Sequence, residues 1–195
     1  GIKNITSGEG GAIISADTQA VSRARDARLL GVIKDSQKRF AVKRSWDFDV
    51  VSQGYRFHMS NLFAAIGRVQ LSRFAGKFLP KRVALARRYR LRLSDVSNIR
   101  FLKTDLGSIV PHIQPICVLN GLRDGLRTCL NDSGIETGIH YKPSHMLTYF
   151  KREGVALPVT ERLYGQLLSL PLHPAITSHD IDRVCFAIRD FMTGK

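Results

Sequence analysis

Lys3-Asn4-Ile5-Thr6-Ser7-Gly8-Glu9-Gly10-Gly11-Ala12-Ile13-Ile14-Ser15 is the stretch whose reading governs the fold assignment. It starts polar and rich in glycine, the composition of a loop that turns tightly. Ala12 to Ser15 is a short apolar run suited to a strand. Asp17 can then cap a helix in which Ala20, Ala24, Ala27 and Leu30 recur at helical spacing, with Gly31 as its stop. A loop lysine such as Lys3 can attack a carbonyl when burial or a nearby charge lowers its pKa. Spacing alone gives it only the status of an exposed amine.

Downstream, residues 32–53 are polar and loop-like, broken by Trp46, Phe48, Val50 and Val51. Ser60 is placed to cap a long helix carrying Leu62, Ala65, Ile66, Val69 and Phe74, which Pro80 is expected to break or kink. A second helix runs through Val83, Ala86, Tyr89, Leu91 and Leu93, with arginines on its other sides. Ile109 to Leu119 reads as a strand. Pro111 and Pro115 interrupt it, so an edge position is expected. Leu122 to Leu130 reads as a helix weakened by Gly125, Ile135 to Tyr141 as a strand, and Leu163 to Leu168 as a short helix before a Ser169–Pro174 turn. Ser178 or Asp180 starts a last helix through Ile181, Val184, Ile188 and Phe191. The expected class is α/β plus α+β, with an αβ part over residues 1–95 and a small α+β part over 96–195. The first part has long helices and little sheet to cover, which suggests that its other strands lie outside these residues.

Composition bounds the partners. Of 195 residues, 44% are hydrophobic, enough for a sizeable core, and no apolar run is long enough to cross a bilayer. No leader peptide is visible, although Gly1 reads as an internal point of a longer protein. Cys117, Cys129 and Cys185 are widely spaced and odd in number, so buried thiols in a reducing cytoplasm are the simplest expectation. The formal charge of +14 favours an anionic partner: nucleic acid, an acidic membrane or a phosphorylated ligand. The basic residues cluster at Arg23–Arg28, Lys34–Arg44 and Lys81–Arg92 without a nucleic-acid motif, so solvated helix faces rank above nucleic-acid binding.

Four blocks occur in order: KNITSGEGGAIIS (Lys3 to Ser15), GYRFHMSNLxAAIGxxQL (Gly54 to Leu71), GIHYKPSH (Gly138 to His145) and SLPLHP (Ser169 to Pro174). Together they resemble the DegT/DnrJ/EryC1/StrS family of pyridoxal-phosphate-dependent sugar aminotransferases. The resemblance implies the C-terminal part of a fold-type I aminotransferase: the end of the large cofactor-binding domain over 1–95, and the small domain over 96–195. It implies pyridoxal 5'-phosphate as cofactor, a nucleotide-linked keto sugar as substrate and glutamate as amino donor. The amino sugar would serve polysaccharide biosynthesis of the lipopolysaccharide or O-antigen type. A cytoplasmic homodimer is implied.

The resemblance also assigns residues. Lys3 becomes the Schiff-base lysine, in a position where a dehydratase branch carries histidine. Gly8, Gly10 and Gly11 become a tight turn beside the cofactor. Arg56 stands where the commonest family form has Asn, and is expected to reach the neighbouring subunit's cofactor phosphate, which suits its planar fork. His58, in place of the family's Arg, is a candidate for contact with the sugar or phosphate. His140 and Tyr141 match a His-Tyr pair on a hairpin near the nucleotide sugar, and His145 is expected to pack within the small domain. No metal site is expected. The family's Asp for the ring nitrogen, its stacking aromatic and its phosphate loop should lie upstream of Lys3, in another chain or in a removed segment. Two alternatives accompany this reading: a catalytically incompetent fragment or interaction module of the family, and a basic nucleic-acid-binding protein.

Overall fold

A computed structural model describes residues 3–32 and 49–194. The Lys34–Arg44 cluster, Trp46 and Phe48 lie outside the described residues. Two compact units are present, Ile5–Leu71 and Ser72–Lys195 with Gly1–Asn4.

In the Ile5–Leu71 unit, α1 spans Thr18–Ala27. Asp17 starts it: Oδ1 accepts from the backbone N–H groups of Gln19 at 2.8 Å and Ala20 at 3.0 Å, which the helix itself leaves unpaired. The chain then reverses through Leu30 and Gly31, both at positive φ. This sets residues 27–30 beside 55–57, with the Tyr55 N–H donating to Ala27 O at 2.6 Å and the Phe57 N–H to Arg28 O at 2.9 Å. The approach is so close that a Cβ on Gly54 would stand 1.8 Å from Gly31 N. Backbone cannot yield as a flexible side chain does. Gly54→Ala should therefore cost about 1–3 kcal/mol, the usual range for overpacking. Urea unfolding should register the loss, together with faster hydrogen exchange at the Tyr55 and Phe57 amides.

Helix α2 spans Asn61–Arg73, and the Ser60 hydroxyl accepts from the Phe63 N–H at 3.3 Å at its start. Neither α1 nor α2 buries a residue. Ala12 to Ser15 forms no strand, and Ile14 is 94% exposed. A strand needs a neighbouring strand to take its N–H and C=O groups, and no described segment pairs with this run.

In the larger unit, a π-helical turn over Phe74–Phe78 leads into α3, Leu79–Arg92. Pro80 lies in the first turn of α3, where a missing N–H costs nothing, so it begins this helix rather than breaking it. Arg82, Val83, Leu85, Ala86 and Tyr89 form the buried stripe of α3. Leu91, expected on that stripe, is exposed, because two residues beyond Tyr89 is about 200° around the helix.

Three antiparallel strands follow: β1 (Ile99–Phe101), β2 (Gln114–Val118) and β3 (Leu167–Leu170), in the order β1-β2-β3. The proline-containing strand is therefore central, not at an edge. The hydrogen bonds explain why Pro115 is tolerated. Ser169 exchanges both of its backbone bonds with Gly138, at 3.0 and 2.7 Å, so it turns away from Pro115 opposite it. Pro115 is then a non-hydrogen-bonded partner of β3, and its missing donor faces the other side. There β1 has already ended, with Phe101 opposite Ile116. Of the strand expected over Ile135 to Tyr141, only the Gly138–Ser169 bridge forms.

Helix α4 spans Arg123–Asp132, and its Gly125 leaves room for the Phe191 ring, which a Cβ would meet at 3.2 Å. Helix α5 spans Pro158–Gln166 and stops where β3 begins. The helix expected over Leu163 to Leu168 is thus half helix and half strand. Leu167 and Leu168 pair with Cys117 and Ile116, while Arg123 Nη1 donates to Tyr164 O at 2.9 Å and Leu167 O at 3.2 Å across the junction. Helix α6 spans Ser178–Thr193, with Thr177 and Asp180 forming a reciprocal capping box.

The core lies between this sheet and the helices α3, α4 and α6. Tyr89, Leu93, Ile116, Val118, Leu126, Leu130, Leu168, Ile181 and Ile188 are all at 1% exposure or less. Leu85 and Tyr89 of α3 belong to this cluster, and Val83 and Ala86 pack with Leu106 in a smaller one, so α3 is part of the Ser72–Lys195 unit.

Asp182 on α6 ties the outer faces together, accepting from Arg88 Nε at 2.8 Å and Arg92 Nε at 3.0 Å, both on α3. The Arg88 hydrogen bond, then that of Arg92, holds its carboxyl down at about 2. A carboxylate depressed in the fold contributes stability above its unfolded pKa of about 3.9, and loses it as pH falls through the folded value. The urea midpoint should therefore drop between about pH 4 and 2, and Asp182→Asn should flatten that part of the profile.

Candidate functional site

Lys3 opens the polar loop, and its main chain is held from an unexpected direction. Arg82, 1% exposed, points its guanidinium inward from α3. Nη2 donates to Lys3 O at 3.2 Å, and Nη1 donates to Leu172 O at 3.2 Å, His112 O at 3.3 Å and, at its limit, Pro111 O at 3.5 Å. Beside it, Asn4 Nδ2 donates to Val110 O at 3.0 Å. The Lys3 side chain is exposed and forms no ion pair with a described residue.

His112 sits in the same neighbourhood. Burial first, then the positive charges of Lys3, Arg82 and His140, press its pKa below the ordinary histidine value. The imidazole is therefore mostly neutral near pH 7, able to accept or donate a proton. An open cleft of about 160 Å³ borders His112 and the 109–115 segment, smaller than usual small-molecule sites.

His140 is part-buried, its Nδ1 3.0 Å from the Ser169 hydroxyl. Its ring lies over Gly138, where a Cβ would come within 2.6 Å of Cε1. Tyr141 meets the His140 ring edge-on at 4.8 Å and is otherwise exposed. The larger unit thus gathers Lys3, Arg82, His112 and His140, with Tyr141 at the margin. No carboxylate among the described residues pairs with any of them.

Arg56 and His58 belong to the Ile5–Leu71 unit. Arg56 forms an isolated bridge with Leu29, and the rings of its neighbours Tyr55 and Phe57 stack at 5.1 Å. Both Arg56 and His58 are exposed. Gly8 and Gly10 have positive φ, and a Cβ would meet the Phe63 ring at 3.1 Å and Met59 Cε at 2.2 Å respectively. Packing of the turn against Met59 and Phe63 therefore already accounts for these two glycines.

Other candidates resolve as structure. His145 Nε2 lies 3.0 Å from Glu161 Oε1, which also accepts from the Leu157 N–H at the start of α5. Cys117 and Cys185 are buried thiols, the latter pushed up to about 12 by its burial. No group of His, Cys, Asp and Glu among the described residues could hold a metal. In the Lys81–Arg92 cluster, Arg82, Arg88, Arg90 and Arg92 are engaged inside the fold, which weakens the case for a nucleic-acid face there.

The family model for DegT/DnrJ/EryC1/StrS aminotransferases matches residues 1–189. The chain belongs to that family. Among relatives of this DegT/DnrJ/EryC1/StrS chain is the spore coat polysaccharide biosynthesis protein SpsC of Bacillus subtilis (strain 168). It is 30% identical over 98% of this chain and 52% of its own length. A UDP-4-amino-4-deoxy-L-arabinose–oxoglutarate aminotransferase of Shewanella sediminis (strain HAW-EB3) is also 30% identical, over 100% of this chain and 53% of its own. The crystal structure of the aminotransferase TlmJ from Streptoalloteichus hindustanus superposes with a TM-score of 0.77 at 29% identity, covering 92% of this chain and 46% of that one. The chain spans about half the length of the curated relatives it matches. It has the fold of part of a fold-type I aminotransferase, and the family is pyridoxal-phosphate dependent.

The residues of this family chain suit such a cofactor. An exposed amine with no ion-pair partner among the described residues can meet an aldehyde. Sequence reasoning missed Arg82 and His112. Arg82 carried a signal: with Leu85, Ala86 and Tyr89 it completes an i, i+3, i+4, i+7 stripe, so its position on the helix was core-facing despite its charge. His112 offered only its place in an apolar run.

Proposed function

We propose that the protein is a pyridoxal-phosphate-dependent aminotransferase that converts a nucleotide-linked keto sugar to an amino sugar. Glutamate would be the donor, and the product would enter polysaccharide biosynthesis of the lipopolysaccharide or O-antigen type. The observation that carries this reading is Lys3: an exposed lysine in the family's KNITSGEGG block, its main chain anchored by Arg82 and its side chain in no ion pair with a described residue. The cofactor supplies an electron sink for the bond broken at the amine-bearing carbon.

The residues divide the remaining work. Lys3 would hold the cofactor through Nζ, and the same nitrogen, when free, would take up and return the proton of the substrate's amine-bearing carbon. His140, oriented by Ser169, and the exposed Tyr141 ring meet the nucleotide sugar. Arg56 offers its guanidinium to the cofactor phosphate of a second subunit, which makes a homodimer the active unit, and His58 contacts sugar or phosphate nearby. Residues 1–95 serve as the end of the large domain and 96–195 as the small domain. The upstream half, on the same polypeptide or a separate one, completes the pocket. No helix among the described residues is long and apolar enough to cross a membrane, and we assign the protein to the cytoplasm, where nucleotide sugars are made.

The test supplies the protein and pyridoxal phosphate with glutamate and a panel of nucleotide-linked keto sugars. Formation of an amino sugar with 2-oxoglutarate is expected. Cofactor binding with no product from any sugar would contradict the substrate class. Failure to bind cofactor would favour the incompetent-fragment reading.

A further inference from the structure

We infer that Arg82, with Asn4 as a second strap, is a positioning residue that fixes the main chain of Lys3; the inference rests on the assignment of Lys3 above. Arg82 is buried with neither a carboxylate partner nor an acceptor for its Nε among the described residues. Removing a guanidinium from water costs free energy, and burial lowers its pKa. A residue serving only to fill the core would be apolar. Arg82 instead spends its terminal nitrogens on carbonyls from three separate stretches: Lys3, Pro111–His112 and Leu172. Asn4 makes the neighbouring tie to Val110.

Lys3 carries its amine on a flexible four-carbon arm, so where the amine can reach depends on where Cα is held. The loop that follows is glycine-rich and gives little restraint of its own. The planar fork of arginine can bridge several carbonyls at fixed angles, which a lysine ammonium cannot. Leu172 lies just beyond β3 and the Pro111–His112 pair just before β2, so the guanidinium refers Lys3 to the two neighbouring strands of the sheet.

The experiment compares wild type, Arg82→Lys, Asn4→Ala and, as a control, Arg123→Lys. Arg123 is also a buried arginine donating to carbonyls, at Tyr164 and Leu167, and takes no part in holding Lys3. Two readouts apply to the cofactor-bound protein: the absorbance titration of the covalent link to Lys3, and the rate of the first half-reaction with glutamate. A third, hydrogen exchange at the Asn4 and Ile5 amides, needs no cofactor. Arg82→Lys should shift the titration of the link, slow the half-reaction on the order of 100-fold, as small misplacements do, and speed exchange. Asn4→Ala should move all three in the same direction by less. Arg123→Lys should lower the unfolding midpoint and leave the titration unchanged. A wild-type titration in Arg82→Lys would overturn the inference, as would an equal shift in Arg123→Lys. If Arg82→Lys does not fold, the Asn4→Ala titration decides alone: a shift supports positioning, and no shift overturns it. A link that survives Lys3→Ala would instead remove the assignment of Lys3.

Discussion

Replacing Lys3 with alanine should abolish the covalent attachment of pyridoxal phosphate and slow transamination by roughly 10²–10⁴-fold, the usual range for losing a positioned general acid–base. The amine has two tasks, and alanine can do neither. It cannot hold the aldehyde, and it cannot shuttle the proton. The unfolding midpoint should hardly move, because the Lys3 side chain is exposed and, among the described residues, only its carbonyl is bonded, to Arg82. That combination separates a chemical residue from a structural one: large loss of rate, little loss of stability. Added small amines should restore part of the rate by standing in for the missing nitrogen. Loss of rate with an equal fall in stability would indicate a collapsed loop instead.

Tyr89→Ala should show the reverse pattern at the level of the fold, destabilising the protein by about 3–5 kcal/mol, as expected for truncating a buried aromatic. Tyr89 is fully buried between α3, the sheet and α6, and its hydroxyl donates to Pro171 O at 3.0 Å. Burial pushes the phenol pKa up, so it stays a neutral donor through ordinary pH. Alanine leaves a cavity and an unsatisfied carbonyl together. Tyr89→Phe separates the two, since it keeps the ring and costs only the hydrogen bond and the stranded acceptor, about 1–3 kcal/mol. Equilibrium urea unfolding of both variants tests this. A loss in Tyr89→Ala below that of Tyr89→Phe would contradict the cavity argument.

Helix starts were legible because they are local. Asp17 and Ser60 each satisfy backbone donors two or three residues on, a relation visible in the sequence, whereas the last helix is capped by Thr177 and not by Ser178 or Asp180. Long-range pairing was not. Leu167 to Leu170 continues the apolar pattern of α5, and only the partner β2 makes it a strand. Pro115 read as an edge signal, and the stagger that ends β1 early could not be seen from composition. Ala12 to Ser15 had strand chemistry, yet no described segment pairs with it. For the site, Lys3, Arg56, His58, His140 and Tyr141 were reached through family motifs, not through local physics. Arg82 and His112 went unnoticed, since a buried arginine serving carbonyls reveals itself only when the carbonyls, dozens of residues away in sequence, are brought to it.

Lys3 is the residue proposed to carry pyridoxal phosphate. Reducing the cofactor-bound protein with borohydride fixes the link permanently, and peptide mapping by mass spectrometry then locates it. The modified lysine should be Lys3, with the adduct absent from Lys3→Ala. An adduct on any other lysine, or bound cofactor with no adduct at all, would contradict the account.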